Sequence, residues 1–382
     1  MPDHHVRTAS GIGAQVRCAR ISMRLRQTDL AELTGITISH LSDIERNYVT
    51  PTIPTLRKLG EALNRPLEYF LTEKRTKPRS LGMVIQGSSI GGLAVAHFAN
   101  LVEAKTNGEM KLRLYQQSSL GTAREQVESL VEGAIHLYID ELHSLEPCAK
   151  LCGPAFLPYF FKDRAHYYRF LNSDIFQKEI YEKLLESGIH LLNPVSNWEC
   201  GSYELLFSTV PIFTPDDLVG RRFRSYPSEA AVALRHALKA EPVIVEFAQA
   251  SAAFASGQMD IFLVPAAYFS SIQIQRHAKY ATLINYGYTL NLTIAINEHE
   301  YLKLSPDVQR CLEEAACEAG QYCAQVAKEK TEADLIGLSK VSSLPIIHPD
   351  EQLWRSRFDA AIRQICAGKL LPPGQYEAIQ SL

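Results

Sequence analysis

The chain has 382 residues, 46% hydrophobic and 21% charged, so it can bury substantial cores and is neither disordered nor collagen-like. Its formal charge of −3 conceals an asymmetry: residues 1–80 carry 13 Lys and Arg against 8 Asp and Glu, net +5, and residues 81–382 carry 26 against 34, net −8. A basic head suits phosphate and an acidic body does not. No apolar run reaches the ~18–20 residues of a membrane span, and no basic stretch followed by an apolar core marks a signal peptide.

Residues 1–10 read as a loose tail. A first helix is expected from Ile12 to Arg24, with Ile12, Val16, Ala19 and Met23 on its apolar face. A short helix follows over Gln27 to Thr34, with Leu30, Ala31 and Leu33 inward. Gly35 supplies the positive φ of a sharp stop. Thr37 then caps a helix whose apolar residues are Leu41 and Ile44. A small residue (Ala31) at the crossing and a glycine in the turn are what two steeply crossed helices require, so this stretch reads as a helix-turn-helix. "NYVTPTIPT" is a loop, Thr55 to Leu63 a further helix, and Pro66 opens a short last one.

From Gly11 to Leu71, including "TPTIPTLRKLGEALNRPLEYFL", the sequence resembles the Cro/lambda-repressor (XRE-type) class of DNA-binding domain. That resemblance implies phosphate contact by Gln27, base-edge contacts from Thr37, Ser39, Ser42 and Asp43, and His40 and Arg46 nearer the backbone. Ile38 would touch a thymine methyl. Glu45 is expected as a structural partner within the domain, because phosphates repel a carboxylate.

Residues 73–81, charged and proline-containing, read as a linker after a head spanning 11–72. "GMVIQGSS", "MKLRLYQQ" and "IHLYID" read as strands separated by the helices "GGLAVAHFANLVEAKTN" and "GTAREQVESLVEGA", the order of a mostly parallel α/β sheet. Further strands are expected at "IHLLNPVS", "DLVGRRFRSYPS", "EPVIVEF", "MDIFLVP" and "AKYATLINYGYTLNLTIAIN". A long helix begins after Ser305, with Pro306 in its first turn. A last helix lies in "EQLWRSRFDAAIRQICAG", and residues 371–382 are expected to trail.

Five segments in family order resemble the solute-binding proteins of TRAP transporters: "FANLVEAKTNGEMKLRLYQQSSLGTAREQVESLVEGAIHL", "LPYFFKDRAHYYRFL", "DLVGRRFRSYPS", "EPVIVEFAQASAAFASGQMD" and "LSPDVQRCLEEAACEA". The resemblance implies a two-lobed α/β fold of the periplasmic-binding-protein kind (type II) over residues 82–370, joined to an all-α head. It also implies that Arg224 grips a substrate carboxylate through two parallel donors. Two departures stand out: Tyr203 replaces a second basic residue, and Val264 replaces an asparagine. Gln86, Ser88, Gln117, Asp140, Glu141 and Phe262 are further candidates at strand ends, where open α/β sheets bind small molecules. Glu141 facing the cleft would favour an amine or hydroxyl on the ligand.

The eight cysteines, Cys18, Cys148, Cys152, Cys200, Cys311, Cys317, Cys323 and Cys366, are scattered; only Cys148 and Cys152 lie close, with no zinc-spaced partner. They read as buried thiols of a reducing cytoplasm, and no metal or cofactor is expected. Histidines and acids such as His136, His143, Asp140 and Glu141 are available, but nucleophile elbow, phosphate loop and HExxH are absent and G-x-G-x-x-G is incomplete. The expectation is therefore a non-enzyme. It would be a cytoplasmic, ligand-responsive transcriptional regulator that binds operator DNA and a small organic acid, with no membrane partner, acting as a homodimer or higher oligomer. The alternatives are a constitutive DNA-binding protein whose body only dimerises, and a metabolic enzyme with a regulatory head.

Overall fold

Five helices build the head: α1 Ile12–Ser22, α2 Gln27–Thr34, α3 Ile38–Glu45, α4 Ile53–Ala62 and α5 Leu67–Leu71. Gly35 ends α2 at φ +67°, a conformation in which a side chain would be strained. Thr37 caps α3 by accepting from the His40 N–H at 3.3 Å, and Thr52 caps α4 by accepting from the Thr55 N–H at 3.3 Å. Val16, Ala19, Leu30, Ala31, Leu41, Ile44, Leu56, Leu59, Leu63 and Phe70 form the core. Leu33 does not join it, being 63% exposed. At 3.6 residues per turn Leu30, Ala31 and Thr34 share a face and Leu33 falls outside it. Thr34 points inward instead and its hydroxyl donates to the Leu30 carbonyl at 2.7 Å. Met23 lies past the end of α1 and is exposed.

The computed structural model describes residues 12–23, 25–46, 48–71, 79–85, 89–116, 121–195, 197–201, 203–268, 274–285, 291–341 and 344–382. The chain divides into two compact units, residues 1–79 with 103–111, and residues 80–102 with 112–382. Most of the expected linker, and the candidates Gln86, Ser88 and Gln117, lie outside the described residues.

The described residues beyond the head carry two sheets. Strands β1 (Arg79–Ile85), β2 (Met110–Gln116), β3 (Leu137–Glu141), β4 (Ile189–Leu191), β5 (Trp198–Glu199) and β11 (Asn291–Asn297) form the first, in the order β2-β1-β3-β11-β4, with β5 also on β11. β1 and β3 are parallel, Met83 opposite Leu137, while β11 runs antiparallel to β3 with Leu292 opposite Glu141. The second sheet has the order β12-β10-β6-β9-β7-β8, from β6 (Tyr203–Ser208), β7 (Arg222–Ser225), β8 (Glu241–Ile244), β9 (Ile261–Pro265), β10 (Tyr280–Asn285) and β12 (Ile346–Ile347). The chain thus passes between sheets three times: between β5 and β6, between β10 and β11, and through the helix Pro306–Val341 that separates β11 from β12. Gly201, at φ +97°, makes the first crossing turn.

The long helix starts as its sequence requires, with the Ser305 hydroxyl accepting from the Val308 N–H at 3.4 Å and Pro306 in the first turn. Its small buried residues, Ala315, Ala316, Ala319 and Ala327, admit close packing, and the Trp198 indole donates to the Ala316 carbonyl at 2.7 Å. The residues expected to trail hold a helix, Gln375–Gln380, with Tyr376 and Ile379 buried. His166 anchors it. Its Nδ1 accepts from the Lys162 N–H, so Nε2 carries the hydrogen donated to the Ile379 carbonyl at 2.7 Å. Among the described residues no helix is long and apolar enough to cross a membrane.

Candidate functional site

The face assigned to DNA lies on α2 and α3. Ile38, Ser39, His40 and Arg46 are exposed, Thr37 is exposed and occupied as a cap, and Ser42 and Asp43 are half-buried. Gln27 is committed elsewhere, its Nε2 donating to Glu45 Oε2 at 2.7 Å. Glu45 is buried and takes two further bonds from Arg20, at 2.6 and 2.9 Å. It is the structural partner its position suggests.

The other candidate is a cavity of about 180 Å³ in the larger unit, below the ~300–1,000 Å³ typical of drug-sized pockets and suited to a small solute. Asp140 and Glu141, at the carboxyl end of β3, and His143 and Ser144 just beyond bring the first sheet to it. Arg224 on β7, Tyr226 after it, Glu204 on β6, Leu263 and Pro265 on β9, and Glu246 and Phe247 at the start of the helix Phe247–Ala255 bring the second. Both sheets therefore deliver strand ends to one place, the geometry by which α/β folds hold ligands.

Arg224 dominates the site. Its Cζ lies 5.5 Å from the Phe247 ring centroid and 5.4 Å from that of Phe262, so two aromatic faces hold the planar guanidinium. Nε donates to the Val245 carbonyl at 3.1 Å, and among the described residues that is its one hydrogen bond. The terminal nitrogens remain for a ligand. Burial lowers its pKa to about 10, partly offset by Glu141, so it stays charged at neutral pH. Arg222, two residues earlier, is occupied by Asp260 at 2.6 Å. Arg235, on the helix Glu229–Ala237, lies over the Phe223 ring at 4.1 Å and donates to the Arg224 carbonyl at 3.5 Å.

The acids are perturbed in the opposite sense. Asp140 accepts from the Tyr138 hydroxyl at 2.6 Å and the Glu141 N–H at 2.8 Å, yet burial prevails and lifts its pKa to about 6. Glu141 is pushed well above the carboxylate range by burial and then by Asp140 and Glu204. Burial and Arg224 lower His143 to about 3. His143 Nδ1 and Glu141 Oε2 are 3.4 Å apart, but with the imidazole neutral this contact is not an ion pair at pH 7. An acid whose folded pKa exceeds its unfolded value stabilises fully below the unfolded pKa and loses that contribution as pH rises through the folded one. For Asp140 the window is pH ~4 to 6 and the loss about 3 kcal/mol. Urea unfolding at pH 4, 5, 6 and 7 should show Asp140→Asn gaining on wild type through that window; a pH-independent difference would show that Asp140 does not titrate there.

Three expected ligand contacts sit elsewhere. Tyr203 is part-exposed at the start of β6, and its neighbour Glu204 lines the cavity. Val264 is fully buried opposite Leu205; side chains alternate along an extended strand, so with Leu263 and Pro265 on the cavity Val264 turns away. Phe262 is fully buried and acts through Arg224. Sequence reasoning missed Glu204, Tyr226, Arg235, Glu246 and Phe247, which reach the site only through the pairing of β6, β7 and β9.

A family model described as bacterial extracellular solute-binding protein, family 7, matches residues 81–369. The chain belongs to that family. A helix-turn-helix model also matches residues 17–70 of this family 7 protein. Relatives include the C4-dicarboxylate-binding periplasmic protein DctP of Rhodobacter capsulatus, 29% identical over 64% of this chain and 72% of its own length. The 2,3-diketo-L-gulonate-binding periplasmic protein YiaO of Escherichia coli K12 is 24% identical over 72% and 82%. The sugar acid binding protein DctPAm of Advenella mimigardefordensis, solved with galactonate, has the same fold, with a TM-score of 0.70 and 20% identity over 80% of this chain and 97% of its own.

These relatives correct the functional expectation. They are solute-binding proteins by name, two of them periplasmic, and none is named as an enzyme. The ligand-responsive transcriptional regulator, its operator-DNA partner, the exclusion of a membrane partner and the cytoplasmic setting are overturned with it. Of the residues expected at DNA, Gln27, Thr37, Ile38, Ser39, His40, Ser42, Asp43 and Arg46, the structure commits Gln27 to Glu45 and Thr37 to its helix cap. A fold motif does not carry its commonest function with it, and the Gln27 amide, expected on a phosphate, is bonded to Glu45.

Proposed function

We propose that the cleft binds a small organic acid without turning it over, and that the chain serves solute capture outside the cytoplasm for a membrane transporter of the TRAP type. The observation that carries the reading is Arg224, a buried cation packed against two rings with its terminal nitrogens free in a cavity of solute size. A carboxylate there gains two parallel charge-assisted bonds in a place from which water is excluded. The solutes in the names of the relatives, a C4-dicarboxylate, 2,3-diketo-L-gulonate and galactonate, are all of this class.

The test is the melting temperature of the full chain with a panel of carboxylates, with and without amines, beside uncharged sugars of matched size. A ligand at 100 times its Kd stabilises by about 2.7 kcal/mol, a rise of a few degrees for a unit of this size. A rise confined to carboxylates is expected. Equal responses to the uncharged sugars, or none to any acid, would overturn the reading.

A further inference from the structure

We infer that Glu146 is a latch between the two lobes, a positioning residue that holds the cleft shut on its solute. The inference goes beyond the acid-binding reading and rests on it only for what the closed cleft holds.

Glu146 stands on the first lobe and bonds to the second. It follows β3 by way of the short helical turn Leu142–Leu145. Its Oε1 accepts from the Ala230 N–H at 3.2 Å, in the first turn of the helix Glu229–Ala237, which follows β7 in the other sheet. That N–H is one of the amides a helix leaves without an acceptor of its own. The next amide, Ala231 N–H, donates to the Ser228 hydroxyl at 3.2 Å, an ordinary cap from within the chain's own turn. Two neighbouring amides are therefore served from different lobes.

The first lobe gives the carboxylate no reason to be there. Among the described residues, every hydrogen bond that reaches it comes from the second lobe. Burial raises its pKa, and the Ser228 hydroxyl and the Ala230 N–H oppose the rise. Its other oxygen, Oε2, is buried without a hydrogen-bond partner. A carboxylate kept for local structure would draw donors from its own segment, because a buried acceptor left unmade costs free energy. Gly153 makes the room. A Cβ there would lie 2.3 Å from Cδ and from Oε1 of Glu146, while its φ of −66° is open to any residue. The glycine serves the carboxylate, not the turn.

The neighbours of both partners line the cavity: Ser144 and Pro147 on either side of Glu146, and Tyr226 and Pro227 just before Ser228. The rings of His143 and Tyr226 meet across the same seam, with centroids 3.9 Å apart. Parting Glu146 from Ala230 thus parts two walls of the cleft. The bond exists only when the lobes are together, so it favours the closed state, by about tenfold or more for one hydrogen bond to a carboxylate.

Amide exchange on the full chain, resolved to single residues, tests this in wild type, Glu146→Ala, Glu146→Gln and Gly153→Ala, alone and with galactonate or succinate added. The Ala230 amide should be protected in wild type. It should exchange about tenfold faster or more in Glu146→Ala, which deletes the acceptor, and in Gly153→Ala, which displaces it. Leu234, bonded within the helix, should keep its protection in both. Glu146→Gln keeps an acceptor oxygen and should retain most of the Ala230 protection. An acid probe that binds wild type should leave Glu146→Ala about tenfold faster and enter at an unchanged rate, because the bond forms after entry. Ala230 exchange that Glu146→Ala leaves unchanged in every condition, or an unchanged release rate, would overturn the latch. Protection lost from Leu234 together with Ala230 would also overturn it, since Glu146 would then be a prop of the helix itself. Binding of neither probe would bear on the acid-binding reading alone, and the exchange result would still decide the latch.

Discussion

Replacing Arg224 by alanine should cost the cleft about 2–5 kcal/mol of carboxylate binding, the range found when one partner of a buried, hydrogen-bonded charge pair is truncated. That is a loss of about 30-fold to several thousand-fold in affinity, read as disappearance of the melting shift and confirmed by calorimetry at high ligand concentration. The size follows from the setting: the guanidinium packs beside the Phe247 and Phe262 rings and is positioned by the Val245 carbonyl, so its donors are oriented before the ligand arrives. Arg224→Lys should recover part of the loss, because it keeps the charge and forfeits the planar fork. The control is Arg222→Ala, two residues away on the same strand. Arg222 spends its guanidinium on Asp260 and on the Gly257 carbonyl, so its loss should leave affinity unchanged. Full binding by Arg224→Ala, or equal loss from both variants, would mean that the acid is not held here.

Strand alternation alone could not choose between those two arginines, since both fall on one face of β7. Family position favoured Arg224, and the choice becomes physical only when β9 and the Phe247 helix are seen around it. The limits of the sequence elsewhere have the same character. Signals confined to a few residues were legible: the Gly35 stop, the Thr37 cap, Ser305 with Pro306, and the ends of β3 where Asp140 and Glu141 stand. Glu204, Tyr226, Glu246 and Phe247 are brought together by crossings between sheets, which leave no local period to read. Tyr203 and Val264, named by family resemblance, lie one residue from Glu204 and Leu263, and a single step along a strand exchanges its faces. Function is less local still: the helix-turn-helix is legible as a shape, but its commonest use does not extend to the whole chain, whose larger part matches solute-binding proteins.

Glu45→Ala should unfold the head. The carboxylate is 2% exposed and receives Arg20 Nε and Nη2 at 2.6 and 2.9 Å and Gln27 Nε2 at 2.7 Å. Arg20 is itself only 11% exposed, with Nη1 donating to the Leu25 carbonyl at 2.7 Å. Deleting the carboxylate strands a guanidinium among α1, α2 and α3, and breaking a buried pair from one side costs about 3–5 kcal/mol. A domain of about 60 residues has few kcal/mol in total, so the loss is comparable with its entire stability. Hydrogen exchange on the full chain should show amides of α1 to α4 losing protection together in the variant. The double replacement Arg20→Met with Glu45→Leu separates two explanations. If the damage comes from the unpaired charge, the apolar pair should restore protection to near wild type, because a buried ion pair is often no more stabilising than well-packed hydrophobic residues of similar volume. If protection stays lost, the Gln27–Glu45–Arg20 network is itself what sets the angle between α2 and α3, and the head depends on that geometry rather than on relief of a stranded charge. Unchanged exchange in Glu45→Ala would refute both.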